Sequence, residues 1–370
     1  MTTAFNRRLL LKLAGAAGTA LALPGMAFAA APTAKRLVFI IQRGAADGLA
    51  ILPPLGDPDL PRLRGALMDE EAVKLDAMFG LHPALGTMAE LFQSGEARAC
   101  HAVATAYRDR SHFDGQNVLE NGASEPYASE TGWLGRLLPM LPGDQARGLA
   151  LAPAVPLALR GPIPAGTYAL NGLPDASEDL LLRLTGLYDE DPLLAPIWSE
   201  AMKTKGLAGD IGGNGGRNGG KLGKLAASLL APDDGARVMM IETSGWDTHS
   251  NQRGRLANHL QGLDQMLAAL KLGLGPAWRD TLVIIATEFG RTAAVNGTQG
   301  TDHGTASAAF LLGGSLAGGA AVTGDWPGLS QPALFEGRDL RPTTRFGDFA
   351  SAALAQHFNL DPREVASLFA

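Results

Sequence analysis

Carboxylate and imidazole side chains recur in four short loop motifs of this chain, and all of them are groups that ligate divalent cations. Oxygen and imidazole ligands without a thiolate suit Zn²⁺, Mn²⁺, Mg²⁺ or Ca²⁺. Carboxylates that are brought together repel one another unless a cation neutralises them. The sequence therefore predicts a divalent metal centre with the candidate ligands Asp47, Asp247, His249, Glu288, Asp302 and His303.

Several of these candidates also have a purely structural interpretation. Asp47 could simply cap a turn, and Glu288 could form a structural ion pair with Arg291 or Arg43. Asp302 could orient a histidine instead of binding the metal itself. These alternatives stay open at the level of sequence.

A nucleophile and an acid/base group are the second kind of chemistry that the sequence indicates. Ser111 is placed to cap a helix that continues through Leu119, which is its structural interpretation. A serine at this position could also act as a nucleophile activated by a metal, with the helix N-terminus stabilising an anionic oxygen. The neighbouring His112 and Asp114 are candidate ligands or acid/base groups. We therefore name Ser111 and His112 as the candidate catalytic residues.

Short apolar runs are predicted to form the buried strands that position these motifs. They alternate with helical patterns, which indicates an α/β fold with a largely parallel sheet flanked by helices. Ligands of such sheets bind beyond the carboxyl ends of the strands, so the motifs should meet there. The run 149–159 contains Pro153 and Pro156 and is predicted to be an edge strand. The runs predicted to be central strands are 35–42, 97–104, 237–242 and 282–286.

Composition restricts the class of protein. The chain has 370 residues, of which 46% are hydrophobic and 18% are charged, as in a folded globular protein. Its formal net charge of −6 gives no basic surface for nucleic acid, and its one cysteine, Cys100, excludes a disulfide framework. We predict a single domain over residues 35–370, with a flexible glycine-rich loop at 206–220.

The first 29 residues are predicted to form an export signal. Arg7 and Arg8 precede an apolar stretch that runs to Leu23, and small residues around Ala29 suit a cleavage site. The pattern resembles a twin-arginine signal, so the export machinery is an expected partner and the mature protein is expected to be periplasmic or secreted. A membrane anchor is the alternative for this stretch. No other run is long and apolar enough to span a membrane.

Five motifs and the signal together resemble an exported bacterial family catalogued as domain of unknown function 1501. The resemblance covers nearly the whole mature chain, and the family is in turn similar to the alkaline phosphatase and sulfatase superfamily. It implies an alkaline-phosphatase-like fold that holds one or two divalent ions. The motifs are Arg43-Gly44-Ala45-Ala46-Asp47-Gly48, Ser111-His112-Phe113-Asp114-Gly115-Gln116, Trp246-Asp247-Thr248-His249, Glu288-Phe289-Gly290-Arg291 and Asp302-His303-Gly304.

The order of motifs in that superfamily suggests roles for particular residues. An Asp after the first strand and a nucleophile at a helix N-terminus help to hold one metal, and Asp47 and Ser111 match them. An Asp, a His and a late His hold the other metal, which the resemblance places on Asp247, His249 and His303.

This chain departs from the superfamily pattern at three places. Asp247 and His249 are closer together than the superfamily usually has them. Phe289 stands where the superfamily has a metal-binding histidine, and a phenyl ring cannot coordinate a metal, so the second ion depends on His112 or Asp114. Ser111 is followed by His-Phe-Asp rather than by the sulfatase pattern, which argues against a formylglycine sulfatase.

The resemblance implies an exported metal-dependent hydrolase of phosphate or sulfate esters. Its partner would be a small-molecule or glycan ester substrate and not a nucleic acid. One alternative is a non-catalytic binding or accessory protein that keeps the fold with a degenerate metal site. The other is a phospho- or glycan-group transferase of the same superfamily.

Overall fold

A computed structural model describes residues 34–68, 71–142, 147–168, 184–185, 187–188, 191–199, 201, 219–316 and 321–370. The predicted signal at 1–29 lies outside these residues. So does most of the predicted glycine-rich loop at 206–220, of which Gly219 and Gly220 are described and begin a helix.

Nine of the strands in the described part of the chain form one central sheet, and β2 and β3 form a separate antiparallel pair. In chain order the strands are β1 (Arg36–Arg43), β2 (Val73–Lys74), β3 (Gly80–Leu81), β4 (Ala97–Ala104), β5 (Gly148–Leu151), β6 (Gly166–Thr167), β7 (Val238–Ser244), β8 (Thr281–Ala286), β9 (Ser307–Leu312), β10 (Val322–Thr323) and β11 (Thr344–Arg345).

The sheet is mostly parallel, as the sequence predicts. Its order is β10-β4-β9-β8-β1-β7-β5-β6, and β11 also pairs with β4. The central strand β1 pairs in parallel with β7 and β8, whereas β9 runs antiparallel to both of its neighbours, β8 and β4. The carboxyl ends of β1, β4, β7 and β8 therefore lie at the same sheet edge as the amino end of β9.

Helices cover both faces of the sheet. Alternate residues of β1 point to opposite sides, so Val38 joins one hydrophobic core while Phe39 joins the other. No helix in the described ranges is long and apolar enough to cross a bilayer. The helices of four or more residues include α1 (Gly48–Ile51), α2 (Leu60–Arg64), α3 (Gly86–Gln93), α4 (His112–Asn121), α5 (Trp133–Leu137), α6 (Gly219–Leu230), α7 (Gln252–Leu274), α8 (Phe346–Phe358) and α9 (Pro362–Ala366).

The strand β5 differs from the sequence expectation. It ends at Leu151, before the two prolines of the predicted run, and it pairs with β7 on one side and β6 on the other. Pro156 instead precedes a short 3-10 turn, Leu157–Leu159. The prolines therefore end the strand and do not place it at the outer edge of the sheet.

Candidate metal centre

Three imidazole rings and one carboxylate converge at the sheet edge described above. The Nε2 atom of His303 lies 2.9 Å from Nε2 of His112 and 3.0 Å from Nε2 of His249. Asp247 Oδ1 lies 3.0 Å from His249 Nε2 and 3.3 Å from His303 Nε2. Ligand atoms of His112, Asp247 and His303 all fall within 4.8 Å of one another.

The topology of the sheet explains why these four residues meet. His112 is the first residue of α4, which follows β4. Asp247 and His249 lie in the loop after β7, and His303 lies in the loop before β9. Because β9 is antiparallel to its neighbours, the residues before it reach the edge that residues after the other strands reach.

Each of the three rings turns its Nδ1 atom toward an oxygen atom that can only accept a hydrogen bond. Nδ1 must therefore carry the proton, and a neutral ring then presents the lone pair of Nε2 to the centre. The three pairs are His112 with Glu288 Oε1 at 2.8 Å, His249 with Asp302 Oδ1 at 3.0 Å, and His303 with the Arg110 carbonyl oxygen at 3.1 Å.

The electrostatics keep the carboxylates ionised. Burial opposes the ionisation of Glu288, but hydrogen bonds from His112 and Gln116 hold its pKa below the ordinary value. A hydrogen bond from Asn296, followed by one from His249, lowers the pKa of Asp302. The acceptors behind His112 and His249 are thus anions that favour a proton on Nδ1, whereas the acceptor behind His303 is a neutral carbonyl oxygen.

Protonation differs between two of the rings. The hydrogen bond to Glu288 raises the pKa of His112, whereas burial and the neighbouring charge of His112 lower the pKa of His303. A proton on His112 Nε2 could bridge that ring to His303 in the absence of a cation. One proton can bridge only one such pair, so the contact between His249 and His303 would need a second proton, on His249 Nε2.

These residues fit a divalent cation. Ligands bound tetrahedrally at about 2.0–2.2 Å lie roughly 3.3–3.6 Å apart. The separations found here run from 2.9 Å to 3.5 Å, which is within this range or slightly below it. A cation between them would convert repulsion among lone pairs and the Asp247 carboxylate into attraction. Three imidazoles with one carboxylate favour Zn²⁺ over Mg²⁺ and Ca²⁺, which prefer oxygen ligands.

Glu288 and Asp302, predicted as ligands, lie behind the histidines. The Glu288 carboxylate is 1% exposed and also accepts hydrogen bonds from the Gly44 amide at 2.8 Å and Gln116 Nε2 at 3.0 Å. Asp302 accepts a bond from Asn296 as well as facing His249. Carboxylates in this position orient metal-binding histidines and fix their tautomer.

The structure does not bring Asp47 into the converging group. Its carboxylate pairs with the guanidinium of Arg64 at 2.5 Å and 3.1 Å, and it also accepts from Gln252 and from the Leu49 amide. Burial opposes its ionisation, but the charge of Arg64 holds the pKa of Asp47 below the ordinary value. Both oxygens are thus already bonded within the protein.

Ser111 lies next to the converging group as the N-cap residue of α4. Its side chain makes no capping hydrogen bond, and its backbone amide donates to the Tyr107 hydroxyl at 3.2 Å. The two predicted catalytic residues therefore differ in their surroundings. Ser111 is half-buried at the helix N-terminus, whereas His112 points its Nε2 atom into the group of candidate ligands.

Phe289 forms a wall of the centre. Its ring stacks on His112 with 5.0 Å between centroids and an angle of 25°, and its centroid lies 5.4 Å from that of His303. A Cβ atom on Gly115 would come within 2.9 Å of the Phe289 ring, so the glycine leaves space for this contact. Phe289 thus restrains a candidate ligand, although it cannot be one.

Arg291 is a site residue that sequence reasoning considered only as a partner for Glu288. Its side chain is fully buried, and Nη1 lies 2.9 Å from Asp247 Oδ1. Burial opposes the ionisation of Asp247, but the charge of Arg291 helps to hold the pKa of that carboxyl below its ordinary value. Arg43, the other partner considered for Glu288, pairs instead with Glu120 and Glu242.

Comparison with solved structures shows similarity at low sequence identity. One is described as Ps i-CgsB in complex with k-i-k-neocarrahexaose. It has 9% sequence identity, the match covers 89% of this chain and 73% of that chain, and the TM-score is 0.41. The C-terminal periplasmic domain of EcEptC from Escherichia coli, in complex with Zn, has 10% identity, 79% and 77% coverage and a TM-score of 0.41. A protein in the alkaline phosphatase superfamily from Vibrio parahaemolyticus has 12% identity, 85% and 70% coverage and a TM-score of 0.39.

Sequence comparison gives a match to one family model. Among curated proteins, none matches this chain. The family model described as "Protein of unknown function (DUF1501)" matches residues 189–367, a region that includes Asp247, His249 and His303. The match is to the family that the motifs of this chain resemble.

Proposed function

We propose that the protein binds one divalent cation, preferably Zn²⁺, between His112, Asp247, His249 and His303, and that it hydrolyses phosphate or sulfate esters there. The observation that carries this proposal is the position of His303 Nε2, which lies 2.9 Å from His112 Nε2, 3.0 Å from His249 Nε2 and 3.3 Å from Asp247 Oδ1. Each ring also has its Nδ1 proton fixed by an oxygen acceptor, as ligating histidines generally do.

The number of ions follows from the contacts of the remaining candidates. Within the ranges that the structure describes, one group of side chains has ligand atoms that all lie within 4.8 Å of one another, and it consists of His112, Asp247 and His303. His249 adjoins this group, with its Nε2 atom 3.0 Å from both His303 Nε2 and Asp247 Oδ1. Asp47 is engaged by Arg64, and Glu288 is engaged by His112, Gln116 and Gly44. The proposal therefore uses a single ion.

The protein's own groups supply the rest of the proposed chemistry. A bound divalent cation supplies Lewis acidity and lowers the pKa of a bound water or alcohol. Arg291 keeps Asp247 ionised, and Phe289 restrains the His112 ring. Ser111 is the proposed nucleophile because it adjoins a ligand and lies at the N-terminus of α4, where backbone amides stabilise an anionic oxygen.

The hydrolytic proposal is tested with metal-loaded protein and a panel of aryl phosphates, phosphodiesters and sulfates. We expect turnover that a chelator abolishes, and we expect Ser111→Ala to lower kcat/KM by at least about a thousandfold, since removal of a nucleophile has effects of that order. Ser351→Ala, at a half-buried position on α8 outside the proposed site, is the matched control and should keep wild-type activity.

Different results would contradict different parts of the proposal. Metal-loaded protein that hydrolyses none of these esters would refute the hydrolase function and favour a binding role. Turnover that is unchanged in Ser111→Ala would remove Ser111 as the nucleophile, and it would leave a water molecule as the attacking group.

We also propose export through the twin-arginine route, on the basis of Arg7 and Arg8 and the apolar stretch after them. Replacing both arginines with lysine should retain the full-length precursor in the cytoplasm, as seen by fractionation of a bacterium that has this translocase. Thr3→Ala is the control and should be processed normally. Normal export of the double lysine variant would refute the route.

A further inference from the structure

We infer that Asp339, a buried carboxylate outside the proposed ligand set, positions His303 as a metal ligand by acting through Arg110. The inference rests on the proposed metal centre, because it assigns a role toward one of the ligands. Asp339 is 0% exposed, and the proposed hydrolysis does not use it.

The first observation is the backbone conformation of Arg110. Its φ angle is 61°, in the left-handed region that residues other than glycine adopt at a cost of about 1 kcal/mol or more. This conformation directs the Arg110 carbonyl oxygen to Nδ1 of His303 at 3.1 Å. Arg110 also directly precedes Ser111 and His112, so its conformation sets how the chain enters α4.

The second observation is what holds Arg110 in place. Its Nε atom donates to Asp339 Oδ2 at 2.9 Å, and its Nη2 atom lies 2.8 Å from the same oxygen. The same oxygen accepts from the Thr305 hydroxyl at 2.8 Å, and Thr305 lies two residues after His303. One buried carboxylate thus ties together the segments that carry the donor and the acceptor of the His303 hydrogen bond.

A further contact extends this arrangement to the backbone of His303. Arg338 donates through Nε to Asp339 Oδ1 at 2.8 Å and through Nη2 to the His303 carbonyl oxygen. His303 is therefore held at its backbone and at its ring, and both restraints involve Asp339 or its neighbour.

Fixing this ring matters because His303 lies between the other two imidazoles. With the proton held on Nδ1, its Nε2 atom is free to bind a cation. In the other tautomer, a proton on Nε2 would occupy the coordination direction. Weakening the Arg110 restraint should let the second tautomer form and should reduce metal affinity without removing a ligand.

The test is the dissociation constant for Zn²⁺, measured by competition with a chromogenic chelator on the full chain. Asp339→Asn keeps the size of the side chain but removes its charge, and we expect a 10–100-fold increase in Kd, as for other residues that orient a ligating histidine. Glu336→Gln is the matched control. Glu336 contacts the same guanidinium at 2.6 Å but is 59% exposed, so Kd should change by less than about twofold.

A second readout separates positioning from a general structural role. In protein with ¹⁵N-labelled histidine and no metal, NMR should show His303 protonated on Nδ1 in the wild type and increasingly on Nε2 in Asp339→Asn. A residue that only stabilises the fold would lower Tm and leave both the tautomer and the zinc affinity unchanged, and that result would overturn the inference.

Two further outcomes also decide whether Asp339 positions His303. If Asp339→Asn does not fold, Arg110→Gly removes the whole side chain with its guanidinium while keeping a left-handed φ accessible, and it should shift Kd and tautomer in the same direction. Unchanged values in that variant would refute the inference. If the wild type binds no Zn²⁺, the metal centre itself is refuted, while the tautomer measurement still decides whether Asp339 positions His303.

Discussion

His303→Ala is expected to weaken Zn²⁺ binding by roughly 10²–10³-fold while leaving the stability of the metal-free protein within about 1 kcal/mol of wild type. The first value follows because a structural zinc site supplies about 10–16 kcal/mol from four ligands, or roughly 3–4 kcal/mol for each. The second follows because the Nε2 atom of His303 lies against two other imidazoles and a carboxylate that repel its lone pair.

These two measurements distinguish a metal centre from a structural hydrogen-bond network. Thermal unfolding with and without Zn²⁺ and chelator competition give both values, and zinc at 1,000 times Kd should stabilise the wild type by about 4 kcal/mol. His259→Ala is the matched control, since that ring packs against Trp246 outside the ligand set. A large loss of stability in metal-free His303→Ala, together with unchanged zinc affinity, would contradict the metal centre.

Asp47→Asn is expected to lower the free energy of unfolding by about 3–5 kcal/mol and to leave zinc affinity within about threefold of wild type. The buried ion pair of Asp47 and Arg64 is 1% and 2% exposed, and the change would leave the guanidinium without its countercharge. Denaturant unfolding and chelator competition measure the two quantities separately.

The matched control is Asp59→Asn, which removes the partner of Arg62 in an exposed pair. That pair is 28% and 57% exposed, so its loss should cost less than about 1 kcal/mol. A zinc affinity that falls tenfold or more in Asp47→Asn, at a stability where the protein remains folded, would restore Asp47 as a metal ligand.

The parts of the fold that the sequence predicts best are those that local pattern determines. The run 97–104 forms β4 with those bounds, and the apolar runs that begin near Leu37 and Leu282 form β1 and β8. These segments are continuous apolar stretches, and their burial on both faces leaves little freedom in where they begin and end. The meeting of the motifs that follow β4, β7 and β8 at one sheet edge follows from the same pattern, whereas His303 reaches that edge because β9 is antiparallel.

The roles of individual site residues could not be predicted from local sequence pattern. Whether a carboxylate binds a metal directly or supports a histidine depends on side-chain directions over about 3 Å, and sequence spacing does not fix those directions. Glu288 and Asp302 therefore look like ligands in the sequence but face the Nδ1 atoms of histidines in the structure. Asp47 could not be assigned because its partner, Arg64, lies on a different helix.

Four residues were missed or underused for the same reason. Their contacts join segments that are far apart in the sequence, and each residue alone looks like an ordinary surface charge or amide. The clearest sign in the sequence of an additional site residue was the arginine of the Glu288-Phe289-Gly290-Arg291 motif, which the structure shows to be buried. The four residues are Arg110, Gln116, Arg291 and Asp339.

The antiparallel direction of β9 has a consequence for how the protein unfolds. It brings His303 against His112, which lies 191 residues earlier, so a bound cation would cross-link distant segments of the chain. No short fragment contains this pair, and the pairing of β9 with β4 and β8 brings its two residues together. A cross-link of this kind should slow unfolding as well as raise Tm. Metal release would then report the opening of the sheet and not only local motion of a loop.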